Sequence, residues 1–396
     1  MSRINMSFNE LDKIIDKGEV DTLSLHVPLK NWLHHSTYLY NEVFNKIKSK
    51  SILDKKQFEK VDKETGDIQI IDDCYYNSKY TQHLLYNECE YASYTFSYRC
   101  ITGYLTITLP HIFVRGRSEK TIISELKVAM NEHFNISSEC LNTIDDYILL
   151  SRIDYKFDYR CHSLEEYYLI KQIINIAPTS IIRGYYNKDT LADDDTSYLI
   201  VYKTKSNATV EITIYNKDKE QLQKLTENKI NNEQYENYRR VIRFEVKFKN
   251  AKLNQLKYKN DTAKKIDNYK ERFTARKLGS GYLKQVFFTE SFYRIDIAKR
   301  LVNNSDETSK TKVKLCALLD SININGYSYT REHYDVNSAK KHNYSKFNRH
   351  IEKLRNLNIN PLTFNTTWSN NQATTYEQIC NFTLWENCLE EETIIC

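Results

Sequence analysis

The chain has 396 residues, 40% of them hydrophobic, with a formal net charge of +5 and a mean hydropathy of −0.65, which describes a wet-surfaced globular protein large enough for two domains. Eight glycines and four prolines exclude collagen-like and Gly-rich classes, and no run nears the roughly 18 apolar residues of a membrane span. The nine cysteines are odd in number, widely spaced and form no CxxC, so reduced thiols in a cytoplasm are expected in place of disulfides or a zinc site.

The charged start MSRINMSFNELDKIIDKGEV is unlike a secretory signal, and its residues 8–17 read as a helix. VDTLSLHVPL (20–29) reads as a strand ending at Pro28, whereas residues 30–99 are polar, Tyr-rich and without clear period. YLTITLPHIF (104–113) is a strand broken by Pro110. Ser118 then opens a helix whose Ile122, Leu126 and Met130 form one buried stripe. YILLSRIDYKFDY (147–159) is a long strand, followed by a helix with a capping box at Ser163 and Glu166. TSYLIVYKT (196–204) and ATVEITIY (208–215), joined by Lys205-Ser206-Asn207, predict a hairpin. A polar helix over 218–238 leads into RRVIRFEVKF (239–248), the clearest strand.

Strands separated by helices, with a hairpin, predict an α+β fold around a largely antiparallel sheet. The expected divisions are an N-terminal part over 1–100, a core over 101–255, a basic helical segment over 256–304 and a C-terminal region over 305–396. The stretch 251–277 carries nine Lys/Arg against three acids, with Tyr258, Tyr269 and Phe273 interleaved, a composition suited to phosphates and bases. Within it Lys264, Lys265, Arg272 and Arg276 are candidate DNA contacts. Residues 313–329 and 347–354 read as paired helices, with Lys340, Lys341 and Arg349 as further candidates. An ordinary helical subdomain fits these residues equally well. Residues 381–396 carry four Glu and no base.

Three strands share one pattern. Ile153, Tyr155 and Phe157 oppose Arg152, Asp154, Lys156 and Asp158; Val210, Ile212 and Ile214 oppose Glu211, Thr213 and Tyr215; Ile242, Phe244, Val246 and Phe248 oppose Arg243, Glu245 and Lys247. A solvated sheet face accounts for such rows, but carboxylates with an arginine two positions away, twice over, suggest a site. Carboxylates on neighbouring strands can hold Mg²⁺ or Mn²⁺, which polarises a phosphodiester. Tyr215 is then either a half-buried strand-end ring or the attacking group, with Lys217 or Lys219 supplying positive charge. Asp154 and Asp158 lie about 13 Å apart along an extended strand at roughly 3.3 Å per residue, so they cannot share one ion without a bulge. Asp154, flanked by Arg152, is the choice.

RIDYKFDY, KSNATVEITIYNKDKE and VIRFEVKFK resemble, in order and spacing, the R-[LI]-D-x-x-x-D, S-N-x(n)-I-Y-[ND]-K-x-x-E and R-[VF]-E-[IV] blocks of rolling-circle replication initiators. These are the Rep_trans-type plasmid initiators and the related gene II/X replication proteins of plasmids and filamentous phages. VDTLSLHVPL and LTITLPHIF resemble the opening and middle strands of the latter group, so the similarity spans roughly residues 20–29 and 104–255. The resemblance implies an HUH-endonuclease-like catalytic domain, with a winged-helix or helix–turn–helix region after it. It further implies a nicking and joining enzyme in a bacterial cytoplasm, acting on origin DNA with host helicase and polymerase, with a homodimer among its expected partners. Tyr215 maps to the nucleophile, with Lys217 and Arg243 beside it in the motifs. Asp154 and Glu245 map to metal ligands, with Asp158 or His111 as a third. Arg152 and Lys205 join the DNA contacts. The chain departs from the family in having no His-x-His, and in carrying Thr106 and Thr108 where some relatives place an acid.

Three other readings compete. A non-catalytic regulator of copy number on the same scaffold has no need of Tyr215, Asp154 and Glu245 together. A tyrosine recombinase needs an Arg-His-Arg set with its tyrosine on a C-terminal helix. A virion structural protein leaves the three charged rows unexplained.

Overall fold

The computed structural model describes residues 19–365 apart from 62–64, 66, 87–89, 115–116, 162–163, 179–184, 191–198, 205–208, 261–263, 271, 289 and 335–343. The helix expected over 8–17, Ser163 of the capping box, the turn Lys205-Ser206-Asn207, Lys340, Lys341 and the acidic stretch 381–396 lie outside the described residues. The fold is α+β and divides into two compact units, each built from separate stretches of chain. Glu19–Lys156 and Lys247–Ala275 form one; Phe157–Val246 and the described part of Arg276–Cys396 belong to the other. Contacts remote in sequence define them, so boundaries drawn along the chain at residues 100, 255 and 304 do not coincide with either.

The first unit contains β1 (Glu19–Pro28), α1 (Thr37–Lys50), β2 (Ile52–Val61), β3 (Ile68–Tyr86), β4 (Glu90–Arg99), β5 (Tyr104–Pro110), α2 (Glu119–Phe134) and most of β6 (Leu149–Arg160). Its strands run in the order β2-β3-β4-β5-β1-β6, and the pairings β2–β3, β3–β4, β4–β5, β1–β5 and β1–β6 are antiparallel. Leu23, Leu25 and Val27 alternate with Ser24 and His26 along β1, and with Leu105, Ile107 and Leu109 of β5 they are fully buried. Val43 and Ile47 of α1 and the expected stripe Ile122, Leu126 and Met130 of α2 are buried in the same unit. The Thr121 backbone N–H donates to Ser118 Oγ at 3.1 Å, the cap that the sequence predicts.

The second unit contains α3 (Leu164–Ile176), β7 (Tyr185–Thr190), β8 (Leu199–Thr204), β9 (Val210–Asn216), α4 (Lys217–Thr226) and most of β10 (Val241–Lys249). There the strand order is β10-β9-β8-β7, with residues 157–160 of β6 beside β10. β8 and β9 pair antiparallel, Ile200 opposite Ile214 and Tyr202 opposite Ile212, as the hairpin reading requires. The single helix expected over 218–238 is two: α4 ends before Asn228, which takes a left-handed φ of 55°, and a short helix covers Asn232–Glu236.

Three further helices, α5 (Ile295–Asn304), α6 (Ser309–Asn325) and α7 (Tyr327–His333), precede α8 (Tyr344–Asn356). They belong to the same unit as β9. Gly326, between α6 and α7, has φ 81°, and a Cβ there would stand 3.7 Å from the Ile176 carbonyl oxygen. The Asn365 backbone N–H donates to Gln172 of α3 at 3.4 Å. No helix among the described residues is long and apolar enough to cross a membrane.

Candidate active site

Val210, Ile212 and Ile214 of β9 are buried, which turns Glu211, Thr213 and Tyr215 to the other face. Asn216 ends the strand by capping α4: its side-chain oxygen accepts from the Lys219 backbone N–H at 3.1 Å, and its amide donates to the Tyr167 hydroxyl at 2.9 Å. Tyr215 is therefore held between a strand end and a helix start. Asp218, in the first turn of α4, accepts from the Tyr235 hydroxyl and from the Arg240 backbone N–H, both at 2.7 Å. Arg240 sits at φ 60°, a backbone position that L side chains adopt at a cost, and its bond to Asp218 fixes where β10 begins.

From β10, Glu245 meets Tyr215: the phenol donates to Glu245 Oε1 at 2.7 Å. Burial, followed by the negative charge of Glu245, pushes the Tyr215 pKa far above the ordinary phenol value; Arg243 pulls the other way. The phenol is thus a protonated group with its proton aimed at a carboxylate. Lys217, first residue of α4, has its ammonium 5.7 Å from the centres of the Tyr215 and Tyr238 rings. It pairs with Glu220 at 2.7 Å. Burial and the nearby Arg243 lower the Lys217 pKa. Burial would raise Glu220, but Lys217 and Lys224 outweigh it and hold that carboxyl below its ordinary value.

The charged rows are not solvated faces. Asp154, Lys156, Lys217 and Arg243 are each at most 6% exposed, so their charges need partners inside the protein. Arg243 grips Asp158 with two bonds, Nε to Oδ1 and Nη2 to Oδ2, both 2.6 Å. Asp154 belongs to the other unit, where Arg152 Nε donates to it at 2.8 Å and burial raises its pKa against the pull of Arg152. On the same face of that unit Ser24 and Thr108 share a hydrogen bond of 3.1 Å. Thr106, opposite His26 in the β1–β5 register, lies there too.

These partners bear on the expected metal. Mg²⁺ and Mn²⁺ call for several oxygen donors with available lone pairs. Asp158 has both oxygens on Arg243, Glu245 Oε1 accepts the Tyr215 hydrogen bond, and among the described residues no three His, Cys, Asp or Glu side chains gather as a metal group. Among the described residues, Asp158, expected as a ligand, is held on Arg243. His111 opens the short helix His111–Val114 of the first unit.

The expected DNA contacts belong to both units. Lys264 is half-buried and donates to the Asn250 side chain, while Lys265 and Arg349 are exposed. The side chains of Arg272, Arg276, Tyr186 and Tyr202 lie outside the described residues. Sequence reading assigned no role to Glu220, although its i,i+3 spacing from Lys217 on a helix signals that pair.

No family model and no curated protein matches the chain. Among solved structures it aligns with the di-domain ARO/CYC BexL from the BE-7585A biosynthetic pathway at 9% identity, over 67% of this chain and 93% of that one. The TM-score is 0.18, a likeness that carries no argument about fold or function.

Proposed function

We propose that the protein nicks and rejoins one strand of origin DNA through a phosphotyrosine intermediate on Tyr215, as an initiator of rolling-circle replication of a plasmid or phage. The observation that carries this reading is the 2.7 Å hydrogen bond from the Tyr215 hydroxyl to Glu245, with the buried Lys217 ammonium 5.7 Å from the Tyr215 ring and the charge of buried Arg243 acting on the same phenol. A phenol with a raised pKa is a poor nucleophile unless its proton leaves as the bond to phosphorus forms. Glu245 is placed to take that proton. The Tyr215 oxygen attacks phosphorus, the P–O3′ bond breaks, and the leaving 3′ oxygen takes a proton from Lys217. Burial has already loosened the hold of that ammonium on its proton. Arg243 offsets charge gathering on the phosphoryl oxygens. Rejoining is the reverse, and the ester conserves the energy of the broken bond, so no nucleotide is consumed.

The sheet is proposed to be of the HUH-endonuclease kind, and the helices after residue 290 to form a DNA-reading module of winged-helix or helix–turn–helix type. Host helicase and polymerase are the proposed partners, and a homodimer is compatible with the reading. Dependence on Mg²⁺ or Mn²⁺ is a separate proposal. It rests on the chemistry of in-line attack at a phosphodiester, and none of the steps above runs through the metal.

The test is incubation with a supercoiled circle of the replicon that carries the gene, with Mg²⁺, Mn²⁺ or EDTA. A nicked circle joined covalently to protein supports the reading, and its absence under every ion condition rejects it. The same Tyr215–Glu245 bond also serves a non-catalytic DNA-binding regulator, in which it only satisfies a half-buried hydroxyl. Binding to the circle without an adduct favours that reading.

A further inference from the structure

We infer that Asp158 is a positioning residue for Arg243, and that it sets the guanidinium against the Tyr215–Glu245 pair. The inference rests on the nicking reading above and gives Asp158 a task that metal ligation does not. A guanidinium bonded through both Nε and Nη2 to one carboxylate has its plane and direction fixed, which a single hydrogen bond does not achieve. Both partners are inside the protein, with side-chain exposures of 5% for Arg243 and 14% for Asp158. The strand order supports the pairing: β6 and β10 are neighbours, and the Cys161 N–H donates to the Arg240 carbonyl at 3.0 Å, joining the end of β6 that carries Asp158 to the start of β10 that carries Arg243.

Arg243 and Glu245 are two apart on β10 and share a face. The Arg243 charge reaches both Tyr215 and Lys217. Moving the guanidinium by about 1 Å therefore misplaces the positive charge that faces the phosphoryl group, an error worth on the order of 100-fold in rate. Asp158 touches neither the phenol nor its proton acceptor in this account. It acts through Arg243 alone.

The experiment is a double-mutant cycle on the full chain with D158N, R243K and the double variant, with D158E and Y215F alongside. Adduct formation is followed in single turnovers on the supercoiled replicon circle, and affinity for the circle and thermal unfolding are measured in parallel. D158N is expected to slow adduct formation by roughly 10- to 100-fold with affinity changed less than about threefold. D158E, which keeps the carboxylate on a longer stem, should recover part of the loss. The double variant should be no slower than R243K. Losses that multiply, or a D158N that unfolds at lower temperature yet reacts at the wild-type rate, overturn the inference. If D158N does not fold, the same cycle is read with D158E against R243K, and multiplying losses there overturn it equally. A Y215F variant that still forms the adduct, or a wild-type protein that forms none, rejects the nicking reading itself and this inference with it.

Discussion

Tyr215, the last outward-facing residue of β9, donates its phenolic proton to Glu245 of β10 across 2.7 Å. Two groups that the sequence marks separately, one as nucleophile and one as metal ligand, form a donor–acceptor pair. The pairing changes what Glu245 is asked to do. In the proposed reaction it is the group that relieves the Tyr215 phenol, whose pKa is raised, of its proton.

Replacing Glu245 by glutamine should slow adduct formation by roughly 10²- to 10⁴-fold while leaving DNA affinity nearly unchanged. The pH profile carries the sharper test. Because the phenol pKa lies far above neutrality, the phenolate fraction at pH 7 is minute and grows about tenfold per pH unit. Without an acceptor the E245Q rate should follow that rise from pH 7 to 10, while the wild-type profile stays flatter. An E245Q profile parallel to wild type would remove Glu245 as the base.

His26 supplies a stability prediction. Burial, with Lys264 nearby, lowers its pKa to about 4 from the ordinary 6.5. Between those values the unfolded chain binds a proton that the folded protein refuses, so stability falls as pH drops from about 6.5 to about 4 and levels off below. The loss is at most roughly 3–4 kcal/mol, the full shift at about 1.36 kcal/mol per pH unit. In H26Q the melting temperature should vary less across that window, and an unchanged pH dependence would assign the acid loss to other groups.

A cut near Asn304 would sever contacts that tie residues 287–295 to residues 360–364. The Ile295 N–H donates to the Phe364 carbonyl at 2.9 Å, and Asn360 is fully buried with its amide on the carbonyls of Phe287 and Glu290. Truncation there should therefore unfold that part of the unit. Surface charge gives the better experiment. Exposed Arg349 on α8 should contact a phosphate, so R349A should weaken DNA binding about equally across sequences. It should also lower the slope of log K against log salt by about 1. An unchanged salt slope would take α8 off the DNA.

Much of this arrangement is legible along the chain. β5 and β9 alternate Leu, Ile and Val with polar residues, and burial follows that alternation; β1 and β10 depart from it at buried Ser24 and Arg243. Residues 52–99 hide their strands because β2 reads ILDKKQFEKV, and Ile52, Ile68 and Ile70 are exposed, so no apolar face betrays the period. Asp158 shows the other limit. Spacing within one strand ruled that it could not share an ion with Asp154, yet its bond to Arg243 depends on which strand lies beside β6, which no local pattern encodes. The charged rows are visible in sequence; that several of their members are buried and paired is a consequence of tertiary packing.

The most direct measurement of the central claim is the site of attachment. The adduct formed on the supercoiled replicon circle is digested with nuclease and protease, and the modified peptide is identified by mass spectrometry, with Y215F carried in parallel. The account predicts a nucleotide phosphate on Tyr215 and no adduct from Y215F, whose DNA affinity stays near wild type. A nucleotide on any other residue, or an adduct that persists in Y215F, contradicts it.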